Sequence, residues 1–201
     1  LIEYPTNGVV KHLKSRDDWS KVKNKRLQEE IIATPKKIKK IKNFKFEKIF
    51  KNSIVFKDKS IIKVQAGGRK NAIRLLDNFL NKNGKLYLQN ISSPKHSEKY
   101  SSRISPHLTW GSISSKEIIK KIRIRKENLK IVEKSQWQRN LTAFQSRLSW
   151  RCHFIQKIED DPLIEISTMH ALYENIRDDG NNNLFFKEWK NGKTGYPFVD
   201  A

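Results

Sequence analysis

Between Arg69 and Leu80, apolar residues fall at Ala72, Leu75, Leu76, Phe79 and Leu80, one face of a helix. Asn83-Gly84 is a stop signal for that helix. The stretch SQWQRNLTAFQSRLSWRCHFIQKIE, residues 135–159, carries two stripes at helical spacing. Trp137, Leu141, Phe144, Leu148 and Ile155 form the first. Ala143, Arg147, Trp150 and Phe154 form the second, turned by one residue's step of about 100°, with Arg151 between them. Such a helix can face a core and a planar, polyanionic ligand together, since Trp and Phe offer stacking faces and Arg contacts phosphates. The alternative is that Trp150 and Phe154 are core and the arginines solvated rim.

Other elements follow from terminal signals. Ser15, Asp17 and Asp18 suit a helix start at about Ser15, broken by Thr34-Pro35. Tyr4-Pro5 and Asn7-Gly8 mark turns. Residues 36–68 mix lysines with β-branched residues without clean periodicity and read as a linker closed by Gly67-Gly68. Residues 86–100 read as loop. Ser105 is the expected N-cap of a short helix with Pro106 at its first position, running to about Trp110 and halted by Gly111. Ser114-x-x-Glu117 is a capping box ahead of Ile118, Ile119 and Ile122. The expected class is mainly α.

Charge changes the picture. The 201 residues hold 42 Lys+Arg against 21 Asp+Glu, a net charge of +21, with 36% apolar and 10% aromatic residues. Such a field attracts polyanions, nucleic acid first; a proteome that uses Lys as its general solubiliser is the plainer account. Cys152 alone excludes an internal disulfide framework and Cys-based metal sites, and fits a reducing cytosol. There is no apolar run near the ~20 residues of a spanning helix. Leu1 in place of Met, and the helix-like opening GYPFVDA at the end, suggest a segment cut at both ends.

One stretch gathers candidate chemistry. In YSSRISPHLTWGSIS, residues 100–114, the hydroxyls of Ser101, Ser102 and Ser105 and the Arg103 guanidinium precede a helix start. Unpaired N–H groups and the helix dipole favour an anion there, and a guanidinium binds phosphate bidentately. Those groups suit a diphosphate, although capped helix starts are common. Glu159-Asp160-Asp161-Pro162 resembles a helix end and turn, and Asp178-Asp179-Gly180 a loop. His153 and Cys152 are helical neighbours that point apart. His12, His96, His107 and His170 lack metal-ligand spacing, so no metal is expected.

These motifs, taken together, resemble the DNA photolyase/cryptochrome family. SSRISPHLTWGSIS is similar to its TSRLSPHLxxGxxS signature, FQSRLSWRCHF to WxxELxWREF, and WKNGKTGYPFVDA to WxxGxTGYPxVDAxMRxL. The likeness spans residues 101–201, and GGRKNAIRLLDNFL extends it back to about residue 67. It implies a multi-helical FAD-binding domain, incomplete here, over 69–201. Residues 35–68 are then a basic linker, and 1–34 the end of an antenna-type domain or a linker. The family's segment clasps FAD phosphates, so Ser101, Ser102, Arg103, Ile104 and Ser105 inherit that role by resemblance. Tyr87, Phe144 and Arg151 join them as cofactor-binding residues, while Arg147, Trp150 and Phe154 are the substrate and DNA candidates.

By the same resemblance the function is light-driven repair of ultraviolet-induced pyrimidine dimers, with FAD as cofactor and an antenna chromophore as a further one in the full-length protein. The expected partner is ultraviolet-damaged DNA, with no membrane partner, a monomeric state and a cytoplasmic location. Two departures stand out. Arg147 occupies the place of the Glu that hydrogen-bonds the dimer in repairing members, and a guanidinium only donates. Cys152 replaces the Glu of WRE. The residues around the flavin ring and the electron-relay tryptophans are expected beyond Ala201. A cryptochrome-like light sensor and a flavin-free nucleic-acid binder are the competing readings.

Overall fold

The computed structural model describes residues 8–37, 39, 65–174 and 183–200. The turn signal at Tyr4-Pro5, most of the 36–68 linker and the Asp178–Gly180 loop lie outside them. All regular elements among the described residues are helical. The α-helices are α1 (Trp19–Gln28), α2 (Arg69–Asn81), α3 (Tyr87–Asn90), α4 (Ser97–Tyr100), α5 (Ser105–Thr109), α6 (Ser115–Glu127), α7 (Ile131–Asp160), α8 (Asn183–Lys190) and α9 (Pro197–Asp200). Short 3₁₀ turns at Asn83–Leu86, Pro162–Glu165 and Ala171–Tyr173 complete the set.

The α7 helix is the spine: 30 residues, about 45 Å at 1.5 Å per residue. Glu133 in its first turn and Lys157 in its last complement the helix dipole. It ends where the Asp161 side chain accepts from the Leu163 amide at 3.2 Å, ahead of Pro162. The helix begins four residues before the expected Ser135, because nothing between Ile131 and Lys134 breaks it. Trp137, Leu141, Phe144 and Leu148 meet Ala72, Leu76, Phe79 and Leu80 of α2 and Ile118 and Ile122 of α6 in one core. Ile155 of the expected stripe is only half-buried; Gln156, one residue on, is fully buried.

Two buried amides fasten the chain to this spine. Asn140 accepts from the Leu88 amide at 2.7 Å and donates to the Lys85 carbonyl at 2.9 Å, which holds the turn carrying Tyr87 against α7. Gln156 accepts from the Val10 amide at 2.6 Å and donates to the Val10 carbonyl at 2.8 Å. With Arg16 and Asp160 paired at 2.6 Å, and Trp19 Nε1 donating to the Gly8 carbonyl at 3.0 Å, this docks the segment leading into α1. Replacing Gln156 by Leu strands both Val10 groups, at a cost of about 1–3 kcal/mol. Denaturant unfolding reads that loss, and amide exchange at Val10 rises with it.

Several local expectations are corrected. The α1 helix starts at Trp19, with Asp18 as N-cap, and ends at Gln28, before Thr34-Pro35. Residues 86–100 contain α3 and α4; they are too short to show periodicity and stand on backbone bonds such as Ile91 to Tyr87 and Ser101 to Ser97. Ser105 is the first helical residue of α5 and Ile104 its N-cap, with no side-chain capping bond. The short helix does end before Gly111, whose φ of +64° places it in the left-handed region.

The capping box is present: Ser114 Oγ accepts from the Glu117 amide at 3.2 Å, and Glu117 accepts from the Ser114 amide at 2.9 Å. Arg69 also donates to Glu117 at 2.5 Å. The Arg69 guanidinium holds this carboxyl below the usual range, burial opposes it next in size, and the smaller Ser114 bonds add to the lowering. A depressed folded-state value means the stabilisation is complete above the unfolded value, near 4.3, and is lost as pH falls through the folded one. Amide protection at the α6 N-terminus is expected to fall in that acid range, and Glu117→Gln to remove that pH-dependent component.

Candidate functional site

Ahead of α5 the chain turns sharply. Arg103 has φ +53°, a conformation uncommon for a residue with a side chain, and strain of this kind gathers at functional sites. Gln65 Nε2 holds the turn by donating to the Arg103 carbonyl at 2.8 Å. The Arg103 guanidinium stays in solvent contact, 3.4 Å from Glu98. The turn aligns Ser101, Ser102 and Ser105 along one wall of a cavity of about 670 Å³, within the ~300–1,000 Å³ of ordinary ligand pockets.

The opposite wall is α7. Phe144, Arg147, Leu148 and Arg151 stand at helical spacing and line the same cavity, and Tyr87 joins them. Tyr87 is pinned by an aromatic cluster: its ring centroid lies 5.5 Å from Phe79 and 6.0 Å from Phe144, both edge-on. Burial pushes the Tyr87 phenol up, and the Arg147 guanidinium beside it opposes that shift. Three guanidiniums and four aliphatic hydroxyls, Thr109 included, thus converge with the Tyr87 phenol, and no carboxylate lines the cavity among the described residues.

All eight residues expected at the cofactor (Tyr87, Ser101, Ser102, Arg103, Ile104, Ser105, Phe144 and Arg151) line this one cavity, and Arg147 does too. Trp150 and Phe154 do not. They line a second hollow of about 390 Å³ with Trp19, Lys23, Ser146, Ser149 and His153. The reason is helical: Phe144, Leu148 and Arg151 share a face, and Trp150 and Phe154 lie round the helix from it. They are not core either, being 52% and 55% exposed. Arg147 links the two faces, its guanidinium 4.6 Å from the Trp150 ring centroid. Sequence reasoning missed Gln65 and Thr109. Gln65 reaches Arg103 across 38 residues of chain, and no local pattern signals such a contact.

Comparison with known proteins adds kinship to geometry. Residues 144–201 match the family described as the FAD binding domain of DNA photolyase. The chain is 29% identical over 138 residues to a deoxyribodipyrimidine photo-lyase of Halobacterium salinarum, covering 69% of this chain and 28% of that protein. It is 33% identical over 100 residues to a deoxyribodipyrimidine photo-lyase of Streptomyces griseus, covering 50% of this chain and 19% of that protein. It therefore spans a quarter or so of their length. No solved structure matches it at a significant level. The cavity fits the group that the family domain binds, since FAD presents a diphosphate and planar rings to hydroxyls, guanidiniums and aromatic faces. Helical fold and sequence kinship agree: the chain is similar to DNA photolyases, and its residues 144–201 match their FAD-binding domain.

Proposed function

We propose that this chain supplies the phosphate-holding wall of the flavin site in an enzyme that repairs ultraviolet-damaged DNA with light. The convergence of Ser101–Ser105, Arg103 and Arg151 on one cavity, with no carboxylate in its wall among the described residues, carries the reading. When bound, FAD supplies the light-driven electron transfer. The protein's residues then have simpler tasks. Ser101, Ser102 and Ser105 donate hydroxyl hydrogens to phosphate oxygens, and Arg103 and Arg151 neutralise their charge. Phe144 and Tyr87 give the cavity a stiff aromatic floor that keeps water from that side. Arg147 and the exposed pair Trp150 and Phe154 offer a cationic, stacking surface for a DNA strand, which the net charge of +21 attracts. The division into residues 1–34, 35–68 and 69–201 belongs to the same proposal.

One observation favours a second reading, a flavin light sensor without repair. Arg147 reaches the cavity where the family's repairing members place a carboxylate, and it cannot accept a hydrogen bond from a pyrimidine dimer. The experiment loads the longest natural form of the protein with FAD and incubates it with irradiated oligonucleotides. Dimer loss under blue light but not in darkness supports repair. Retained flavin without dimer loss in light moves the assignment to the sensor. A protein that retains no flavin overturns both readings.

A further inference from the structure

Gln65 reaches the Ser101–Ser105 cavity from a separate part of the chain, just ahead of α2, and local features fix its approach. Gly68 has φ +87°, a left-handed turn that directs the chain from the cavity into the helix. Asn71 Nδ2, in the first turn of α2, donates to the Gly67 carbonyl at 2.7 Å and holds that turn. The start of α2 is itself fastened to α6 through the Arg69–Glu117 pair at 2.5 Å. Gln65 therefore extends from a braced point.

Its side-chain amide meets Arg103 at both ends. Nε2 donates to the Arg103 carbonyl at 2.8 Å, and Oε1 faces Arg103 Nε at 3.4 Å. One contact holds the backbone and the other the guanidinium. The backbone needs holding, since φ +53° is unfavourable for a residue with a side chain. Among the described residues no other group hydrogen-bonds the Arg103 main chain. The remaining contact to the guanidinium, from Nη1 to Glu98 at 3.4 Å, involves an exposed carboxylate that water also solvates.

We propose that Gln65 is the positioning residue of the phosphate-holding wall, a deepening of the flavin reading on which it rests. Its amide keeps Arg103 in the left-handed turn and engages Nε, leaving Nη2 and the loosely held Nη1 for a phosphate. Gln65 acts through Arg103. A guanidinium already set in place loses less freedom when an anion arrives, and that difference appears as affinity.

The test is a double-mutant cycle read by FAD affinity on the longest natural form of the protein. Gln65→Met keeps the length of the side chain and removes both ends of the amide; it is expected to weaken FAD binding about five- to tenfold. Arg103→Gly removes the guanidinium and the strain together, because glycine adopts positive φ freely. In that background Gln65→Met should change the affinity by less than about twofold. In flavin-free protein, Gln65→Met should also move the Arg103 backbone resonances away from left-handed values, while far-ultraviolet circular dichroism stays that of wild type. Wild-type binding of FAD with equal affinity in Gln65→Met overturns this proposal alone. Effects that add in the double variant overturn it as well, since Gln65 would then act independently of Arg103. Wild-type protein that binds no FAD overturns the flavin reading and this proposal together.

Discussion

Replacing Arg103 by alanine is expected to weaken retention of FAD by the protein about ten- to a hundredfold. A hydrogen bond to a charged group contributes about 1.5–3 kcal/mol, and each 1.4 kcal/mol is tenfold in affinity. Arg103 is well placed for that effect, since it lines the cavity among hydroxyls and its guanidinium is held only by long contacts, 3.4 Å each, to the exposed Glu98 and to Gln65 Oε1. Arg103→Lys keeps the charge but loses the planar fork, so it should recover only part of the loss. Affinity for undamaged DNA should change far less, because one cation among 42 is a small share of a diffuse field. Flavin fluorescence and a DNA retention assay on the same preparations check both. Equal weakening of the two would remove Arg103 from the phosphate clasp and return it to the general basic surface.

Truncating Trp137 to alanine should have the largest effect on stability, about 3–5 kcal/mol. Trp137 is buried at the junction of α2, α6 and α7. Arg125 lies 4.8 Å from its ring centroid and donates through Nε to the Leu80 carbonyl at 3.0 Å, so one indole organises contacts to two other helices. Because domains hold only about 5–15 kcal/mol in total, such a loss would leave the protein close to unfolding. Urea unfolding of wild type and variant, followed by far-ultraviolet circular dichroism, measures it. A loss below about 1 kcal/mol would mean that the core relaxes into the space, and α7 would not be the spine described above.

Long elements with a strong period were legible in the sequence. The apolar positions of α2 set its start at Arg69, and the Ser114–Glu117 box set that of α6, because both depend on groups within one turn of each other. Short elements were not. The α3 and α4 helices have four residues each, too few to repeat a 3.6-residue pattern, and are held by neighbours such as Asn140. Ser105 failed as an N-cap for a related reason: the left-handed turn at Arg103 lets the helix begin at Ser105 itself, with Ile104 in the capping place.

For the site, local sequence determined the chemical parts: hydroxyls and a guanidinium before a proline-led helix, and an α7 face alternating aromatic and basic groups. It also carried the resemblance to the photolyase/cryptochrome family, through three motifs in order. Only the tertiary structure decided which parts meet. It set Phe144, Arg147 and Arg151 across a cavity from the serines, and turned Trp150 and Phe154 towards Trp19 and Lys23. It also brought Gln65 to the Arg103 turn across 38 residues of chain. Helical periodicity fixes which residues share a face. What that face meets depends on contacts across tens of residues of chain, set by packing rather than by local pattern.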